Sequence, residues 1–316
     1  MSPRRRIGGV LTCLAVVGAV VVTGSQTPAK SRAMALTFDD LPFAAANAPY
    51  FPSATRTTAE LLRVLRQHRA PAIGFVNEGQ LESGGREPAR EALLRQWIDA
   101  GMTLGNHTYA HRDFNTQTID AFKDDIVRGE PTVKRLMTGR ALFFRHPMTH
   151  TGDTKEKKDA IDAFLSARGY RIAPHTIENS DFIFNVVYLR AQAAGDTALA
   201  GRVRDAYIDL TTAATAFAEK ASQTIFARDI PQTLLLHANV ITAESLETLL
   251  SQFEARGYRF ISLEEAMADP AYATADTMVA TMGPTWLWRW AKTLAVRVSA
   301  EGDPEVPAWV LDAYRR

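Results

Sequence analysis

The 316-residue chain has a single cysteine, Cys13, which lies inside the N-terminal apolar stretch. A mature form starting near residue 30 would carry no thiol, which excludes disulfides, thiolate zinc sites and a cysteine nucleophile. Charge of one sign is also lacking: 36 basic residues stand against 35 acidic ones, without a charge block, so no basic excess is available for a phosphate backbone. Nucleic acid is therefore not expected as a partner. There is no internal repeat and no low-complexity stretch, and with 46% hydrophobic and 22% charged residues the composition is that of a globular protein. The length allows about two ordinary domains or one large α/β barrel.

Long apolar runs are missing too, except at the start. Arg4, Arg5 and Arg6 precede an uncharged run from Ile7 to Val22, and Thr23 to Ala29 is small and polar. This is the layout of a secretory signal, so residues 1–29 are read as a signal peptide or N-terminal anchor and the protein as exported, periplasmic or extracellular. The run is short for a membrane span of about 20 residues, and membrane attachment follows only if the signal stays uncleaved. Val22-Thr23-Gly24 and Thr27-Pro28-Ala29 both offer small residues at a cleavage point. Thr12 before Cys13 fits lipidation poorly, and the arginines fit a twin-arginine signal only loosely. Cleavage after Ala29 leaves a mature chain with a net charge of −2.

Beyond residue 30, short β-rich runs recur at Ala33–Phe38, Ala72–Val76, Met102–Gly105, Ala141–Phe144, Tyr170–Ala173, Thr233–Leu236 and Tyr258–Ile261. Between them lie segments of helical spacing, such as Thr58–His68, Arg90–Ala100 and Glu244–Arg256. Gly101, Gly169 and Gly257 follow three helices just before the next strand. The alternation implies an α/β fold with a parallel sheet; seven units fit a closed or nearly closed barrel, and an open doubly wound sheet is the competitor. Residues 185–230 read as an inserted helical pair. The extension 269–316, with four of the five tryptophans, is expected to pack on the barrel, with sugar stacking or a membrane interface as its other uses.

The expected strand ends are polar: Thr37-Phe38-Asp39-Asp40, then His107 and His111, then Arg145-His146-Pro147, later Asp181-Phe182, and finally Leu235-Leu236-His237. In α/β barrels such ends converge on one mouth. Adjacent carboxylates repel unless a cation separates their roles. His107 and His111, spaced i, i+4, would share one face of a helical turn, and one carboxylate would complete a three-ligand site. Two nitrogens and an oxygen suit a divalent metal, Zn²⁺ foremost, better than Ca²⁺ or Mg²⁺.

These residues, in this order from about Ala33 to Ala266, resemble the five motifs of the polysaccharide deacetylase family, carbohydrate esterase family 4. The resemblance implies a distorted (β/α)7 barrel spanning residues 30–268 and removal of acetyl groups from an acetylated glycan, with no stable protein partner inferred. It implies Asp40, His107 and His111 as metal ligands, Asp39 as general base, Arg145 as its tether, Asp181 as the aspartate tuning His237, and His237 as general acid. It also places Leu235 at an acetyl pocket, Pro147 and Met148 beside an oxyanion-binding backbone N–H, and Phe182 as an apolar wall in place of the usual tryptophan. Leu41 stands where the family usually has glycine, and a bulky residue at the mouth is expected to change access. His146 and His150 are expected to be solvated loop residues, His68 and His175 structural or solvated. Because Asp39 and His237 are intact, a glycan-binding module on a decayed barrel is the weaker alternative; hydrolysis of an O-acetyl ester or a non-sugar amide is another.

Overall fold

The computed structural model describes residues 32–44, 51–82 and 88–316. The expected signal or anchor, with its arginines and Cys13, lies outside the described residues. Among those described, no helix is long and apolar enough to cross a membrane. Residues 31–316 form one compact unit.

Strands and helices alternate as expected. β1 (Arg32–Leu41) leads through α1 (Phe51–Gln67) to β2 (Ala72–Val76), and α2 (Pro88–Asp99) leads to β3 (Thr103–Asn106). Next come α3 (Ile119–Arg128), α4 (Pro131–Leu136), β4 (Leu142–Phe144), α5 (Lys155–Ala167) and β5 (Tyr170–Ile172). The inserted pair is α6 (Asp181–Ala193) and α7 (Thr197–Phe226), beginning four residues earlier than the composition suggested. It is followed by β6 (Gln232–His237), α8 (Val240–Ala255) and β7 (Tyr258–Ile261). α9 (Leu263–Ala266), α10 (Trp286–Thr293) and α11 (Ala308–Arg315) complete the chain. Gly101, Gly169 and Gly257 sit at φ of 84°, 78° and 84°, the left-handed turn that ends a helix at low cost for glycine.

All strand pairs are parallel, in the order β5-β4-β3-β2-β1-β6. Ile177, beyond β5, bridges Leu234 of β6 and curls the sheet back on itself. β7 departs from a simple ring: it pairs with the first residues of β1, Arg32 to Ala35. This is a distorted, curled barrel rather than an open doubly wound sheet. Because side chains alternate along a strand, Ala33, Ala35, Ile73, Phe75, Phe143 and Ala173 join in one inner cluster with Ile261. The larger core lies where the outward faces meet the helices, around Leu36, Phe38, Leu61, Leu94, Trp97 and Phe253.

The extension packs on this unit. Trp286 and Trp290 are buried in the main core, and Trp309 packs against it. Arg289 of α10 is fully buried and ties the extension down: it donates to Thr151 Oγ1 (2.9 Å), the Thr149 and Pro284 carbonyls and Asp276 Oδ2 (2.9 Å). An uncharged side chain there leaves several acceptors and part of a buried charge uncompensated, so Arg289→Met is expected to cost about 3 kcal/mol in urea unfolding.

Leu41 departs from expectation. It is fully buried, not at the mouth, and a Cβ on Gly74 would overlap its Cδ2, so the missing side chain on β2 makes room for it.

Candidate metal centre

β1 and β6 run in register, pairing Thr37 with Leu235 and Asp39 with His237. Alternate residues share a face, so Thr37 and Asp39 point the same way as Leu235 and His237. Leu235 is 4% exposed. At the strand end Asp40 takes φ 65°, which turns its carboxylate out of the alternation towards the loop after β3.

That loop carries His107 and His111, and it is not helical. Thr108 and His111 lie at φ 66° and 52°, outside the right-handed helical region, so the expected helical turn is absent. Side chains and a neighbouring helix hold the loop instead. Asn106 Oδ1 accepts from the Thr108 N–H (2.8 Å) and Thr108 Oγ1 from the His111 N–H (3.1 Å). Asn77 Nδ2 donates to the His107 carbonyl (2.6 Å), and the Tyr109 N–H to that of Asp125 (3.0 Å). The two imidazoles still converge, their ring centres 4.9 Å apart. Strained backbone of this kind persists only where its surroundings over-determine it.

His107 Nε2 is 3.6 Å and His111 Nε2 3.4 Å from Asp40 Oδ1, and the ligand atoms of the three lie within 4.8 Å of one another. Ligands about 2.1 Å from a tetrahedral zinc ion stand roughly 3.4 Å apart, so the three atoms fit a divalent cation. Two further observations agree. Asp40 Oδ1 is buried and has no hydrogen-bond partner. His107 Nδ1 lies 2.7 Å from the Arg145 carbonyl, which can only accept, so the proton is on Nδ1 and the Nε2 lone pair is free to ligate. Burial, then the nearby charge of His111, hold the His107 pKa well below the ordinary value, which keeps the ring neutral.

Asp39 is 3% exposed, and burial pushes its pKa up against the opposing charges of Arg145 and His237. Arg145 Nη1 is 3.8 Å from Asp39 Oδ2, an ion-pair distance rather than a hydrogen bond, while Arg145 Nη2 donates to Thr37 Oγ1 (2.9 Å). Thr37 passes its own proton to the Leu234 carbonyl (2.9 Å). The motifs include Thr37 but give it no role, although its alternation with Asp39 on β1 places it inside the barrel.

On the neighbouring strand β6, His237 Nδ1 donates to Asp181 Oδ1 (2.6 Å). Asp181 is fully buried at the start of α6, and its other oxygen accepts from the His237 N–H (2.7 Å) and Thr242 Oγ1 (2.8 Å). Thr242 is a second residue the motifs did not reveal. Burial alone would lower the His237 pKa, but the charge and hydrogen bond of Asp181 outweigh it and push it up to about 10. Phe182, half exposed, sets its ring edge-to-face against His237 at 6.0 Å. Pro147 is buried at the start of a tight turn in which the Thr149 N–H donates to the His146 carbonyl and the His150 N–H to that of Pro147. Met148 at φ 55° projects outward, half exposed.

The other histidines separate. His146 is 1% exposed, stacked near Phe122 and edge-on to Phe144, and so is not a solvated loop residue; its neighbours on β4 and α3 enclose it. His150 is mostly buried and pairs with Asp113 (2.8 Å). His68 bridges Glu247 and Glu254, and His175 lies buried against Trp286, both structural.

A parallel α/β barrel with an Asp-His-His triad at its strand ends, flanked by a buried carboxylate and a His–Asp pair, defines the class. Residues 26–163 match the family model described as polysaccharide deacetylase. The chain is 27% identical over 137 residues, 43% of its length, to a peptidoglycan-N-acetylglucosamine deacetylase of Bacillus cereus. That match spans 56% of the relative, little more than half. It is 24% identical over 242 residues to a chitin deacetylase of Colletotrichum lindemuthianum, covering 75% of this chain and 79% of the relative. Among solved structures, a peptidoglycan N-acetylglucosamine deacetylase in complex with an N-oxidanyl-benzamide aligns with a TM-score of 0.51 and 18% identity, over 76% of this chain and 89% of the other, a likeness of fold alone. Over these residues the chain is similar to the polysaccharide deacetylase family.

Proposed function

We propose that this protein is an exported, metal-dependent hydrolase that removes acetyl groups from an N-acetylated glycan. One observation carries the reading: a cation-sized gap between Asp40, His107 and His111 lies beside Asp39, a group able to take a proton, whose register partner on β6, His237, is able to give one. A binding module has no use for that pair.

Asp40, His107 and His111 would hold a divalent cation, Zn²⁺ foremost given two nitrogens and one oxygen. Such a cation supplies Lewis-acid chemistry at an acyl carbonyl and lowers the pKa of a water beside it. The chain's own residues do the rest. Asp39 accepts the proton of the attacking water, and Arg145 keeps its carboxylate oriented through the ion pair. The turn at Pro147 and Met148 frames the carbonyl, and Leu235 and Phe182 supply apolar walls. His237, protonated and oriented by Asp181, hands a proton from Nε2 to the departing nitrogen.

The test is acetate release by residues 30–316 from N-acetylglucosamine oligomers, peptidoglycan and acetylated xylan, with zinc present and then chelated. Metal-dependent release from at least one glycan is expected. Stoichiometric metal without acetate from any acetylated glycan would overturn the reading, and a matched ester and amide pair separates the O-acetyl alternative.

A further inference from the structure

The extension does more than cover the core. Its segment 279–285 runs against the turn after β4: Thr149 Oγ1 donates to the Gly283 carbonyl (2.9 Å) and Asn115 Nδ2 to that of Thr281 (3.0 Å). A Cβ on Gly283 would overlap the Met148 carbonyl oxygen and the Thr149 hydroxyl, so only glycine allows this approach. The segment thereby becomes one side of the mouth beside Met148.

Behind it lies a cavity of about 370 Å³, lined by Glu178 and Ser180 from the loop before α6, Phe217 of α7, and Trp288 and Asp303 of the extension. It shares Glu178 and Pro284 with an open groove of about 590 Å³ that also carries Met282. The cavity is within the size range of small-molecule sites. It is also close to the chemistry: Ser180 of its lining immediately precedes Asp181, which holds His237, and Ile177 of its lining accepts from the Leu235 N–H (3.0 Å). Trp288 is partly exposed and tilted 33° to Phe217 at 6.1 Å. Among the described residues no lysine, arginine or histidine forms an ion pair with Glu178 or Asp303, so their oxygens are not committed to internal cations.

We propose that this cavity is a sugar subsite, seating a pyranose ring of the glycan adjacent to the unit whose acetyl group is cleaved. The assignment rests on the deacetylase reading of the metal centre and adds a specificity-determining residue, Trp288. A pyranose has an apolar C–H face and a rim of hydroxyl donors. The indole and Phe217 meet the first, while Glu178 and Asp303 accept from the second. An anionic ligand would be repelled by the same carboxylates, and an acyl chain would leave them unpaired.

The experiment is calorimetric titration of N-acetylglucosamine oligomers of increasing length into zinc-loaded Asp39→Asn protein, which blocks turnover, with Trp288 intact, as Trp288→Ala and as Trp288→Phe. Affinity is expected to rise with length in the parent. Trp288→Ala is expected to weaken the longer oligomers roughly tenfold and leave the monosaccharide unchanged, with Trp288→Phe recovering most of the loss. Asp303→Asn gives a smaller, length-dependent loss and serves if the alanine variant fails to fold. A loss equal at every length, no loss at any, or no binding of oligomers by the parent overturns the subsite. Acetate release from a small acetylated substrate separately decides whether the hydrolase reading stands.

Discussion

Replacing His237 by alanine is expected to lower kcat for acetate release by about a thousandfold while KM changes little. The imidazole is 84% covered and backed by Asp181 at 2.6 Å. The loss falls on the step in which nitrogen departs, so a substrate with a good leaving group, such as an acetylated phenol, should be spared most of it. That contrast distinguishes lost proton donation from a collapsed site. The pH dependence supplies a second check. His237 has a folded pKa raised to about 10 from an ordinary 6.5. Its contribution to stability is therefore fully present below about pH 6.5 and is lost as pH rises towards 10. Metal-free protein should lose stability across that window, and Asp181→Asn should flatten the slope and bring the alkaline limb of activity to lower pH. An unchanged limb in Asp181→Asn would refute the pairing as the cause.

Replacing His107 by alanine is expected to abolish measurable activity and weaken zinc binding by well over about 100-fold, read by competition with a chromogenic chelator. Loss of a partner behind a metal ligand costs about 10–100-fold, and removing the ligand itself costs more. His107 is the strictest member of the triad because it is fully buried and locked by the Arg145 carbonyl at 2.7 Å, so water has little room to replace it. His111 has a side chain 31% exposed, and His111→Ala should therefore retain more metal than His107→Ala. The reverse order would contradict the geometry.

The fold was largely legible because two periodicities, alternation in short β-rich runs and helical spacing between them, report burial directly. All seven strands lie where the apolar runs placed them, within a few residues. Local backbone geometry was not legible. The i, i+4 spacing of His107 and His111 suggested a helix, yet the rings meet through left-handed residues and bonds from Asn77, Asn106 and Asp125, contacts distant or invisible to spacing. Leu41 misled for a similar reason, since its pocket is created by the absence of a side chain on Gly74, a residue on another strand. His146 looked solvated only because a histidine after a strand end gives no sign of the aromatic rings of α3 and β4 that enclose it. The role of the extension depends on one buried arginine, whose partners lie on the turn after β4 and on its own approach segment.

β1 is held by three strands, β6 along one edge and β7 then β2 along the other. Its amides can exchange with solvent only when several ladders separate together, which sets them near the most protected end of the molecule's opening spectrum. Asp39 and Asp40 are borne at the end of that strand, whereas His111 lies at the far end of a loop whose backbone pairing with residues 76–79 covers only 107–109. Motion at the centre is thus divided unequally: the carboxylates and the buried His107 form a fixed reference, and breathing of the cation gap comes from the partly exposed His111.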